Sequence, residues 1–171
     1  MSNVRIRPRN IEIDRTLWST PQRLFEVCNN RFGFTIDVCA QRETAKLHKF
    51  YSPTDDGLLR SWAGERAWMN PPYGAEKPRW LQKAATETRG DCELVVGLVP
   101  PGTDAQAWHA WVLRFACRVI CLLGRVNFEP PHGVVVENGN ADPSVLVVWQ
   151  RGLSGPPMLE GWDWRRKHIL L

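Results

Sequence analysis

The sequence predicts an α/β domain whose mostly parallel mixed sheet is flanked by helices. Three observations lead there. Strand-length apolar runs alternate with segments of helical periodicity. Two of the runs, Leu94–Val99 and Ser144–Gln150, are apolar almost throughout, as strands buried on both faces are. Asp37, Asn70 and Pro100 each fall at or just past the C-terminal end of an expected strand, where sheets of this class bind their ligands.

Residues 1–16 read as an irregular basic N-terminal arm carrying Arg5, Arg7, Arg9 and Arg15, and 17–171 as one domain. Thr20 and Pro21 have the chemistry of an N-cap and a first helical residue. Leu24, Phe25, Cys28 and Phe32 then recur at helical spacing, and Gly33 closes the helix. Phe34–Val38 reads as a short strand containing Asp37. Residues 41–47 suit one or two helical turns, His48–Tyr51 a short strand, and Ser52–Gly57 a loop. Arg66–Asn70 is a strand that runs straight into Pro71-Pro72. Lys77–Thr88 is a helix with Trp80, Leu81, Ala84 and Ala85 on its apolar face, stopped by Gly90. After the strand Leu94–Val99, Pro100-Pro101-Gly102 forces a turn and Asp104 offers a cap for a helix over 105–116. Arg118–Leu123 and Arg125–Phe128 read as strands around Gly124, 129–143 as a long loop, and Ser144–Gln150 as the last strand.

The chain has 171 residues, 43% hydrophobic and 23% charged, which suits one folded domain and excludes a disordered or fibrous chain. No apolar run approaches the ~20 residues of a membrane span, and no apolar leader follows Met1, so the expectation is a cytosolic protein. A net charge of +4 permits a polyanionic partner without demanding one. The late cluster Arg165, Arg166 and Lys167 reads, like the early one, as a solvated tail. The five cysteines form no Cys-x-x-Cys pair, so no zinc site is expected and free thiols are. The four histidines are scattered. Most of the nine tryptophans are expected as core anchors.

Asn70-Pro71-Pro72-Tyr73 is the sharp signal. Two prolines after a strand make a stiff loop that can hold the Asn70 side chain and the Pro71 carbonyl as two fixed acceptors. Two acceptors beside an aromatic ring suit a planar amine. The exocyclic amine of adenine is a poor nucleophile because its lone pair is delocalised into the ring. If each acceptor takes one N–H, the nitrogen can pyramidalise and its lone pair turns toward an electrophilic methyl group. Tyr73 can stack on the base. Catalysis of this kind is positioning plus electrostatics. The tetrapeptide favours an amino-group methyltransferase but leaves adenine, cytosine, an RNA base and a protein glutamine amide open.

The chain resembles the small phage-type, Dam-like DNA N-6-adenine methyltransferases, which use S-adenosylmethionine. Residues 16–150 carry the resemblance in order: Trp18-Ser19-Thr20-Pro21 with Leu24-Phe25; Phe34 through Ala40; Phe50-Tyr51 and Asp56-Gly57-Leu58; Trp62; Trp68-Met69 before Asn70–Tyr73; Trp80 with Lys83-Ala84; Leu98-Val99-Pro100, Thr103-Asp104 and Trp108; Gly124 through Phe128; and Pro143-Ser144. The resemblance implies a Rossmann-like methyltransferase domain and a bacterial cytosol, with the chain phage or prophage encoded. It implies that Asn70, Pro71, Pro72 and Tyr73 form the catalytic loop. It makes Asp37 the acid beside the cofactor's ammonium, with Val38, Cys39 and Ala40 lining the cofactor. Thr20 and Pro21 match the segment at the methionine end. Asp56 matches an acid near the cofactor's adenine, with Asp55 as a substitute. Asp37-Val38-Cys39-Ala40-Gln41 lacks the glycine-rich turn of the wider methyltransferases, and the ribose contact is unassigned.

DNA is the expected partner, taken by a monomer or homodimer, with the target base flipped from the duplex. Lys77, Arg79 and Arg125 are the expected phosphate contacts, which give affinity without sequence choice. The chain has no room for a separate base-reading region, so a short or relaxed recognition sequence is expected. A methyltransferase of RNA or of protein glutamine, and an inactive DNA-binding module, are the alternatives.

Overall fold

In the structure, a computed structural model describing residues 18–130 and 142–166, six strands form one sheet. They are β1 (Ile36–Asp37), β2 (Arg66–Met69), β3 (Leu94–Val99), β4 (Arg118–Leu122), β5 (Val145–Gln150) and β6 (Met158–Trp162), in the spatial order β1-β2-β3-β5-β4-β6. The β1–β2, β2–β3 and β4–β6 pairs are parallel, while β5 runs against both of its neighbours. The expected mixed, mostly parallel α/β sheet is therefore present. The basic arm 1–16 and most of the expected loop 129–143 lie outside the described residues. Among the described residues no helix is long and apolar enough to cross a membrane.

Side chains alternate across the sheet as the two-residue period requires. Ala67, Met69, Val95, Val99, Val119, Val145, Val147 and Trp149 meet helix α2 (Lys77–Arg89) on one face. Trp68, Leu94, Val96, Leu98, Ile120, Leu146 and Val148 meet helix α1 (Gln22–Phe32) on the other. All six residues of β3 are buried, as its apolar run predicted. Gly97 keeps β3 flat on the α2 face: a Cβ there would stand 2.7 Å from Met69 Cε and 3.2 Å from Trp149 Cζ3.

Helix α1 buries the expected Leu24, Phe25, Cys28 and Phe32 and ends at Gly33 in the left-handed conformation, φ 63°. Its start differs from the sequence expectation. Pro21, not Thr20, is the capping residue and carries no side-chain bond. The Gln22 N–H is instead accepted by Glu129 Oε1 at 3.2 Å, a cap supplied 107 residues away. At the other end the Arg66 guanidinium donates to the Phe32 carbonyl. Helix α2 buries the expected Trp80, Leu81, Ala84 and Ala85, and adds Thr88, whose hydroxyl donates to the Ala84 carbonyl.

Four expectations are corrected. The regular helix expected over 105–116 is a π-helical segment, Trp108–Val112. Trp149 Nε1 takes the Trp111 carbonyl at 3.0 Å, and the Phe115 N–H turns to Val112 instead. The strand expected at Arg125–Phe128 is absent. The fork of Arg165 takes the Leu123 and Arg125 carbonyls at 2.8 Å each, groups a strand would need for pairing. Arg165, while exposed, is thus also a clamp across the turn after β4. Residues 41–47 make a single turn, within expectation, but the strand expected at His48–Tyr51 is reduced to one parallel bridge, Asp37 to Phe50. Finally, Ser144–Gln150 is not last: β6 follows, an edge strand with exposed Met158 and Leu159 that shows no apolar alternation.

Candidate active site

Because β1, β2 and β3 are parallel neighbours, Asp37, Asn70 and Pro100 emerge side by side at one edge of the sheet. Asp37 is 3% exposed. Its Oδ1 accepts the Cys39 N–H at 3.3 Å and its Oδ2 the Lys46 N–H at 3.1 Å, so it shapes the loop that follows β1. Burial pushes its carboxyl up from 3.8 to about 6, against the pull of the two amides and of the Lys46 ammonium. Each oxygen keeps a lone pair for a further donor. The nearby Cys39 thiol is pushed up by burial first, then by the charges of Asp37 and Glu76.

Asn70 is half-buried at the end of β2, and Pro71 is buried behind it. Asn70 Nδ2 donates to Thr20 Oγ1 at 3.1 Å. With that end of the amide committed, Oδ1 is the atom that faces away from Thr20. Tyr73 packs edge-on against Phe128, ring centroids 5.6 Å apart and planes at 87°. Its hydroxyl lies 3.5 Å from Ser144 Oγ, at the N-terminal end of antiparallel β5 and hence at the same sheet edge. Burial pushes the phenol far above its ordinary value, so it stays protonated.

The Asp55–Gly57 loop is brought against Val38. A Cβ on Gly57 would lie 2.1 Å from the Val38 carbonyl oxygen and 3.1 Å from Trp80. The contact is fixed from behind: Trp62 Nε1 donates to the Gly57 carbonyl at 2.9 Å, and Glu87 on α2 accepts the Trp62 N–H at 2.8 Å. Asp55 Oδ2 accepts the Ser52 hydroxyl and amide, which hold its carboxyl below the usual range. Asp56 sits at φ 53°, a left-handed conformation its short polar side chain tolerates, and its Oδ1 accepts the Leu58 N–H. Both acids thus build the turn that carries them.

The three basic residues fall in different settings. Lys77, half-buried at the start of α2, brings its ammonium beside Gly102 in the loop after β3. Arg79 is exposed and ion-paired with Glu76 at 2.8 Å. Arg125 is exposed on the turn that Arg165 clamps, beyond the C-terminal end of β4. The structure brings Lys77 and Arg125 to the strand-end edge and leaves Arg79 on the helix surface.

Sequence reasoning missed Glu129. Its backbone pairs with Ser19 in both directions, at 2.9 and 2.8 Å, while its side chain caps α1 and stands 3.9 Å from Lys46 Nζ. An exposed glutamate in a loop gives no local sign of such a role. It also missed that Thr20 and Asn70 touch. A family model described as DNA N-6-adenine-methyltransferase (Dam) matches residues 9–159. No curated protein matches the chain.

Proposed function

The chain belongs to the DNA N-6-adenine-methyltransferase (Dam) family, and from that premise we propose that it transfers a methyl group from S-adenosylmethionine to N6 of an adenine flipped out of DNA. The observation that carries the reading is the juxtaposition of the Asn70–Tyr73 corner with buried Asp37 on adjacent parallel strands. The Rossmann-like reading of the fold agrees with this placement, since ligands of such sheets bind at the carboxyl ends of the strands.

The residues present fit the cofactor. A buried carboxylate whose ionised form is disfavoured calls for a cation, and an α-ammonium supplies one. Val38, Cys39 and Ala40 would line the cofactor beside Asp37, and Thr20 with Pro21 would meet its methionine end. Asp55 and Asp56, packed against Val38 through Gly57, would meet its adenosine end. Trp80 Nε1 is buried with no acceptor among the described residues, in the same cluster as Val38. When bound, S-adenosylmethionine supplies an electrophilic methyl group on a sulfonium.

The chain's own part is to bind and orient. Asn70 Oδ1 and the Pro71 carbonyl each accept one N–H of the adenine amine, which draws the nitrogen out of conjugation with the ring. Pro71 and Pro72 fix these acceptors without offering donors of their own. Tyr73 offers a ring to the base and stays neutral. Lys77 and Arg125 approach phosphates from two loops of the same edge, and Arg79 lies further out.

The test is methyl transfer from labelled cofactor, with DNA, RNA and protein offered separately. We expect label in DNA, as N6-methyladenine. Asn70→Ala and Tyr73→Ala should abolish it while the thermal transition is kept. Wild-type transfer by Asn70→Ala would remove the proposed role of the corner.

A further inference from the structure

We propose that Thr20 is a positioning residue for the methyl-transfer step: its buried hydroxyl accepts the Asn70 amide N–H and thereby presents Oδ1 to the substrate amine. This rests on the reading of Asn70 given above and deepens it.

The chemistry of the amine demands a particular face of the amide. Asparagine carries an acceptor and a donor that exchange places on a half-turn of the side chain. Only the oxygen can grip an NH2 group; the opposite rotamer sets donor against donor. The two prolines fix the backbone of the corner, but they do not set the torsion of the Asn70 amide. The contact that does is the 3.1 Å bond from Nδ2 to Thr20 Oγ1. Thr20 is 2% exposed, so its hydroxyl meets the amide out of competition with water.

Thr20 is itself held on both sides. Ser19 exchanges two backbone hydrogen bonds with Glu129. Gln22 gives its N–H to the Glu129 carboxylate, and the Pro21 carbonyl accepts from Phe25 in the first turn of α1. Phe128, next to Glu129, is the ring against which Tyr73 packs. One short segment, Phe128–Glu129, therefore braces both functional side chains of the corner. Thr20 does not cap α1: the capping position falls on Pro21, Glu129 accepts the Gln22 N–H, and the threonine hydroxyl meets Asn70.

The experiment compares Thr20→Val, which keeps the shape and removes the acceptor, with Thr20→Ser, which keeps the hydroxyl. In the free protein, the Asn70 side-chain amide signals in a proton–nitrogen NMR spectrum should shift and exchange faster in Thr20→Val and stay near wild type in Thr20→Ser. In turnover, Thr20→Val should lower kcat by about ten- to a hundredfold, the scale of a misplaced reacting group. Because Thr20 also stands at the proposed methionine end, the dissociation constant of S-adenosylmethionine is measured beside it by calorimetry, and the fall in kcat should persist at saturating cofactor. Thr20→Ser should recover most of kcat. An unchanged kcat and unchanged Asn70 signals in Thr20→Val would overturn the proposal. So would a loss accounted for wholly by weaker cofactor binding, which would assign the hydroxyl to the methionine end instead. A wild-type chain that transfers no methyl group would overturn the functional reading itself, a distinct result.

Discussion

Lowering the pH from 7 to 5 should weaken S-adenosylmethionine binding about tenfold, and Asp37 should be the cause. Burial places its carboxyl near 6 in the free protein, so about nine-tenths is ionised at pH 7 and about one-tenth at pH 5. Only the ionised form attracts an ammonium, so affinity follows that fraction. The stability of the empty protein must move the other way. A carboxyl raised from 3.8 to about 6 favours the folded state by about 3 kcal/mol below pH 3.8, and this is lost as pH rises through 6. One group then gives two opposite trends: the empty fold loses stability over the interval in which its cofactor affinity grows. Titration calorimetry at pH 5, 6 and 7 measures the first, and thermal unfolding of the free protein over the same range measures the second. Asp37→Asn should flatten the affinity profile and leave binding no stronger than wild type at pH 5. The asparagine also turns an N–H2 toward either the Cys39 or the Lys46 amide, each now bonded to a carboxylate oxygen. An affinity that holds constant or strengthens toward pH 5 in the wild-type chain would refute the assignment of Asp37 to the ammonium. A tenfold slope that survives in Asp37→Asn would refute it equally.

Glu129→Ala should lower the unfolding free energy by about 1 kcal/mol, the worth of a helix cap, whereas Glu129→Gln keeps an acceptor for the Gln22 N–H and should lose less; denaturant titration separates the two. Gly57→Ala should destabilise by about 1–3 kcal/mol, because its Cβ meets a backbone carbonyl that cannot swing aside, and cofactor affinity should fall with it. Gly74→Ala, with nothing within 4 Å of the added carbon, is the stability control. Lys77→Ala should weaken DNA binding and reduce the salt slope by about one ion, measured by fluorescence anisotropy across salt concentrations. Arg79→Ala should change the slope less, since its charge is already matched by Glu76.

What could be read from the chain was what local patterns encode. The apolar faces of α1 and α2 repeat at helical spacing and appear as expected, and the apolar runs of β3 and β5 lie in the middle of the sheet. The placement of Asp37, Asn70 and Pro100 followed from strand ends and parallel pairing alone. Where the reading failed, a distant side chain had taken a backbone group. Trp149 diverts the Trp111 carbonyl and breaks the regular helix; Arg165 takes two carbonyls and prevents a strand; Glu129 takes the N–H that a local cap would have served. These partners stand between 38 and 107 residues apart, beyond any periodicity. Strand β6 escaped for a different reason: an edge strand with two exposed apolar residues carries no alternation to detect.

The same long-range contacts explain how so small a domain joins the two proposed half-sites. The backbone N–H of Lys46 is bonded to Asp37, while its ammonium lies 3.3 Å from Gln22 Oε1 and 3.9 Å from Glu129. Glu129 in turn is paired with Ser19, the neighbour of the residue that holds Asn70. The acid proposed for the cofactor and the amide proposed for the base are therefore connected through one lysine and one glutamate, outside the sheet that presents them. Parallel pairing alone would set the two strand ends side by side but leave the side-chain torsions free. The loops after β1 and β4 supply that missing constraint. In physical terms the sheet fixes where the groups stand, and Lys46, Glu129 and Thr20 fix which way they face.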